Sequence, residues 1–118
     1  MTIDQSLFQK TPVPIALLDT HLTFVDFSDR WLNHFGLSRN TLGKPFFESM
    51  PKLPEELKLD IDYCLEGVSF RTDTMRVILE NGDSVWYEWK IDSVKDDDEE
   101  VSGVILVLED VTGRDRKS

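Results

Sequence analysis

The chain has 118 residues, of which 40% are hydrophobic and 31% charged, proportions that suit one soluble globular domain with its own core. A formal net charge of -10 repels phosphate, which argues against nucleic acid or an anionic membrane as a partner. The one cysteine, Cys64, leaves no intrachain disulfide to form and suits a reducing, cytoplasmic setting.

No apolar run approaches the roughly 20 residues of a membrane span, so no membrane insertion is expected. Residues 1–10 carry no basic segment followed by an apolar one, so no signal peptide is expected. Residues 4–10 (D-Q-S-L-F-Q-K) suit a short helix with Asp4 as cap, stopped by Pro12 and Pro14. Leu7 and Phe8 on that lead are too apolar to stay in solvent and are expected to pack on the domain or on a second copy of it, which makes them candidates for a dimer interface. Residues 15–18 and 22–27 then read as two short strands around the turn Asp19-Thr20-His21. Ser28 can cap a helix through Trp31 and Phe35, with Gly36 as its stop. Residues 42–47 (L-G-K-P-F-F) form a turn-rich segment with two large aromatics.

Pro54 suits the first turn of a longer helix. Its apolar face is Leu57, Ile61, Cys64, Leu65 and Val68, with Gly67 as the end and Lys58, Asp60, Asp62 and Glu66 solvated. From Ser69 the period changes to two. Residues 70–79 and 84–94 read as long strands joined by a turn containing Asn81-Gly82, the strongest short hairpin signal. Along the second of them Val85, Tyr87, Trp89 and Ile91 face one way, and Trp86, Glu88, Lys90 and Asp92 the other. After a charged loop, residues 101–112 (V-S-G-V-I-L-V-L-E-D-V-T) give a last strand whose five-residue apolar run is expected to be buried on both faces at the centre of a sheet. Two short strands, a helical middle and three long strands predict an α+β domain, one antiparallel sheet with helices packed on one face.

In order and in local sequence the chain resembles the PAS domain family. The stretches that carry the resemblance are S-D-R-W-L-N-H-F-G-L-S from Ser28, L-G-K-P-F from Leu42, N-G-D-S-V-W-Y-E-W from Asn81 and G-V-I-L-V-L-E-D-V-T from Gly103. The last closes in Asp110-Val111-Thr112, similar to the Asp-Ile-Thr type triad that commonly ends the family's final strand. The resemblance implies a five-stranded antiparallel sheet in spatial order 2-1-5-4-3, with a lead at 1–13, the domain at 14–112 and the start of a C-terminal linker at 113–118. It also implies a regulatory sensor or signal-relay module acting with a histidine kinase, diguanylate cyclase or transcription regulator, with an output domain not present in this chain.

In such a fold the concave face of the sheet can hold a small apolar ligand, and Trp31, Phe35, Phe46, Phe47, Ile61 and Cys64 are the candidate lining. Asp110 and Thr112 are the candidate signal exit. The alternative is a ligand-free interaction module, a homodimer formed through Leu7, Phe8 and the outer sheet face, with Trp86 as an anchor. No cofactor is expected. Haem relatives often take their ligand from the long helix, and residues 54–67 hold no histidine. The flavin relatives' Asn-Cys-Arg-Phe-Leu-Gln-like motif is missing, and Cys64 reads as a small buried hydrophobe. No metal site is expected either: His21 and His34 stand 13 positions apart without convergent donors, and the acidic run 96–100 lacks a calcium-loop pattern. No phosphate loop or nucleophile motif is present, so no enzyme activity is expected.

Overall fold

A computed structural model describes residues 9–50, 53–78 and 81–113. Leu7 and Phe8 lie outside the described residues. The elements run β1 (Ile15–Asp19), β2 (Phe24–Phe27), α1 (Asp29–Phe35), a 3-10 turn (Arg39–Thr41), α2 (Phe46–Ser49), α3 (Glu55–Leu65), β3 (Arg71–Ile78), β4 (Ser84–Lys95) and β5 (Val101–Asp110). The strands form one antiparallel sheet in the order β2-β1-β5-β4-β3, with β5 at its centre as the sequence implied.

Local chemistry accounts for most boundaries. The Asp19 carboxylate accepts hydrogen bonds from the backbone N–H of His21 (2.9 Å) and Thr23 (3.0 Å) and from the Thr23 hydroxyl. That turn places Leu22 at φ 61, so β2 begins at Phe24 and not at Leu22. Segment 43–46 then runs along β2, with Phe24 N–H bonded to Lys44 O and Gly43 N–H to Phe24 O, which covers an otherwise open sheet edge. Ser28 is fully buried and joins three segments. Its hydroxyl donates to Val13 O (2.7 Å) and accepts from Ile15 N–H (3.1 Å) and from Trp31 N–H (3.2 Å), the last capping α1. Gly36 ends α1 in the left-handed conformation, and Gly82, at φ 92, serves the turn before β4.

The core lies between the helices and one sheet face. Ala16 and Leu18 of β1, Val104, Leu106 and Leu108 of β5, and Tyr87, Trp89 and Ile91 of β4 meet Trp31, Phe46, Leu57, Ile61 and Cys64 from the helices. Three expectations are corrected. β5 is fully buried on that face only, because Ile105 and Val107 on its other face are half-buried, with Leu17 and Ile15 of β1 opposite them. Val68 lies beyond the end of α3 and is exposed, since the helix stops at Leu65 and the chain turns through Gly67. Asp60, expected in solvent, is buried.

Candidate functional site

Three side-chain groups occupy the helix-covered face. The first is aromatic. Trp31 of α1 lies 4.7 Å from Phe35, 6.1 Å from Phe24 and 6.2 Å from Phe46 between ring centroids, and Phe24 lies 5.5 Å from both Phe27 and Phe46. These are edge-on or tilted arrangements in the favoured range for ring pairs. Trp31 and Phe46 are fully buried, Phe35 is half-buried, and Phe47, 4.9 Å from Phe46, is 37% exposed. Of the six candidate lining residues, Trp31, Phe35, Phe46 and Phe47 thus form one connected ring cluster with Phe47 at its rim. Ile61 and Cys64 are buried on α3 within the same core. Among the described residues, Trp31 Nε1 is the buried side-chain polar atom without a hydrogen-bond partner.

The second group is polar and fixes α3 to the sheet. The Asp60 carboxylate accepts from Trp89 Nε1 (2.9 Å) and from Arg71 Nε (3.1 Å), and the Arg71 guanidinium lies over the Tyr63 ring at 4.8 Å. One turn on, the Ser93 hydroxyl donates to Cys64 O (2.6 Å). Burial, followed by the charges of Asp92 and Asp60, pushes the Cys64 thiol up despite Arg71, so little of it is the reactive thiolate at neutral pH. Sequence reading missed Asp60. The signal was there, because Leu57, Asp60, Ile61 and Cys64 share one helical stripe.

The third group is the exit of β5. Asp110 stands opposite Tyr87 and its carboxylate accepts from Thr112 N–H (2.8 Å). The Thr112 hydroxyl accepts from Trp86 N–H (2.8 Å), and Val111 N–H donates to Trp86 O (2.7 Å). Trp86, expected to be exposed, is half-buried, with its backbone engaged by this exit. Burial and, second, the Asp110 carboxylate raise the Tyr87 phenol. Tyr87 also touches the first group, since Phe35 lies 6.0 Å and His34 6.1 Å from its ring. Beside the exit, Pro12, Pro14, Arg30, His34, Glu109 and Asp110 line an open surface cleft of about 180 Å³.

His21 and His34 are both exposed, and among the described residues no group of three His, Cys, Asp or Glu side chains is placed to hold a metal ion. No helix among them is long and apolar enough to cross a membrane.

A family model described as PAS fold matches residues 8–116. No curated protein matches. Among solved structures, the chain is similar to a PAS domain from Colwellia psychrerythraea, with TM-score 0.74 and 18% identity over 92% of this chain and 94% of that one. The PAS domain of Bordetella pertussis BvgS gives TM-score 0.67 and 22% identity over 93% and 84% of the two chains. The Vibrio cholerae VqmA dimer in the absence of its target DNA, described in connection with LuxR-type receptors, gives TM-score 0.72 and 22% identity over 95% of this chain and 53% of its own. The chain thus spans about half the length of VqmA. Likeness at these identities establishes the fold.

Proposed function

The chain belongs to the PAS fold family, whose members are regulatory and sensory modules, and from that premise we propose that it is a signal-relay domain with a small apolar ligand as its input. The division that goes with this reading is a lead at 1–13, the module at 14–112 and the first residues of an output linker at 113–118. The single observation that supports it best is the exit: Asp110, Val111 and Thr112 are all hydrogen-bonded, and two of those bonds end on Trp86. A strand end merely capped for stability needs no such tie to its neighbour. Here the positions of Val111 and Thr112 depend on where β4 lies, and β4 carries Tyr87 and Trp89 into the core. Occupancy of the aromatic cluster that displaces Tyr87 would therefore re-aim the exit. One structural neighbour, VqmA, was solved bound to the ligand DPO, which is consistent with small-molecule input on this fold.

The test is replacement of Asp110 and Thr112 together by Ala in a protein where this domain precedes its output. Regulation should be lost while ligand affinity stays nearly unchanged. Normal regulation with only a lowered melting temperature would reduce the exit to a structural cap.

A second reading, a dimerising interaction module without ligand, draws support from the outer sheet face. Ile15, Leu17, Ile105 and Val107 form a half-buried apolar block there, and Leu7 and Phe8, a few residues before β1 in sequence, would add to it in a dimer. A chain that stays monomeric in sedimentation at high concentration would exclude this reading. Dimerisation that disappears when residues 1–10 are removed would support it.

A further inference from the structure

The two fully buried indoles of this protein are treated differently. Trp89 gives its Nε1–H to the Asp60 carboxylate at 2.9 Å. Trp31, equally buried, gives its Nε1–H to nothing. The indole nitrogen is a donor with no acceptor capacity, and a buried donor left unpaired is costly enough to be rare. A phenylalanine in that position would fill much of the same space without the cost. The ring neighbours of Trp31, those of Phe24, Phe35 and Phe46, offer its N–H no oxygen or nitrogen.

The cluster also has a way in. Phe35 is half-buried and touches Trp31 directly, while Phe47 is 37% exposed and touches Phe46. Rotation of these two rim rings would open the cluster from the surface with the sheet left in place. Side chains at such partly exposed sites change rotamer on fast timescales.

Resting on the reading of this cluster as the ligand site, we infer that it takes a small, neutral, planar aromatic molecule bearing a hydrogen-bond acceptor, and that Trp31 Nε1 donates to that acceptor. The ring neighbours select a flat aromatic body, which stacks or meets edges at the spacings already present. The unpaired N–H selects an acceptor and not a donor. Neutrality follows from the six candidate lining side chains, none of which carries a charge that could pair with a buried ion. A net charge of -10 further disfavours an anion.

Isoquinoline and naphthalene test this directly, because they share size and shape and differ by one ring nitrogen. Binding of each to the full chain is measured at neutral pH by following the assigned indole N–H resonance of Trp31. Isoquinoline should bind about tenfold more tightly, the factor that one ordinary hydrogen bond supplies, and should move that resonance downfield. In Trp31→Phe, with folding checked by its melting curve, the two affinities should become equal. Equal affinities in the unaltered chain, with no downfield shift, would overturn the acceptor assignment while leaving a ligand site in place. Binding of neither probe would overturn the ligand site as well. The resonance of the unaltered chain decides the matter even if the variant is unstable.

Discussion

At the scale of single residues, polar groups in the core are held by partners distant in sequence. Asp60 is the clearest case, since it reaches Trp89 across 29 positions. Its partner Arg71 has a side chain 40% exposed, so that ion pair contributes little. The bond to the buried indole carries the weight. Asp60→Ala leaves the Trp89 N–H unpaired, and its urea unfolding free energy should fall by about 1–3 kcal/mol. Asp60→Asn keeps an acceptor oxygen and should lose clearly less; an equal loss in both would mean that charge, and not the hydrogen bond, is what matters. Asp19 gives the pH dependence. Burial raises its carboxyl, but hydrogen bonds from the Thr23 hydroxyl and from the Thr23 and His21 N–H groups, with the His21 charge, outweigh it and leave it below its ordinary 3.8. A carboxyl lowered by folding binds its proton more readily in the unfolded chain. Its contribution is therefore present above pH 3.8 and is lost as pH falls through the lower folded value. The melting temperature gap between the unaltered chain and Asp19→Asn should be present at neutral pH and shrink in that acid window. A gap that persisted below it would assign the effect to turn geometry alone.

At the scale of elements, the sheet depends on a close approach of β1 and β5. A Cβ added to Gly103 would lie 2.1 Å from Leu18 O, and that oxygen is backbone, which cannot swing aside. Gly103→Ala should therefore cost about 1–3 kcal/mol and loosen the β1–β5 ladder, seen as faster amide exchange of Ala16 and Leu18. Exchange as slow as in the unaltered chain would show that the strands can separate without harm. The elements themselves were legible in sequence wherever the signal was local. Ser28 and Gly36 bounded α1, Asn81-Gly82 marked the hairpin, and the change of period after Ser69 announced the long strands. The apolar run of β5 was legible as a central strand, but its one-sided burial was not, because the same residues serve either arrangement. The Asp60–Trp89 and Thr112–Trp86 bonds were not legible for a different reason. Both join residues 26 or more positions apart, and only the register of the folded sheet brings them together. The candidate lining was legible as a set of large aromatics, yet no pattern in the sequence distinguished the buried Trp31 and Phe46 from the exposed Phe47.

At the scale of the molecule, the aromatic cluster and the exit of β5 are one connected system. Phe46, Trp31 and Phe35 lead by successive ring contacts to Tyr87. Tyr87 stands opposite Asp110, and its neighbour Trp86 holds Val111 and Thr112. The relay reading requires that a disturbance among the rings reach the exit, and physical adjacency alone does not establish such coupling. The most direct measurement is backbone amide exchange at Val111 and Thr112 in Phe35→Leu, a change that leaves every hydrogen bond of the exit intact. Loss of one ring pair is worth roughly 0.5–1.5 kcal/mol, so the account predicts exchange about two- to tenfold faster at Trp86, Val111 and Thr112. Exchange altered only at Trp31, His34 and Tyr87, with the exit amides unchanged, would contradict it.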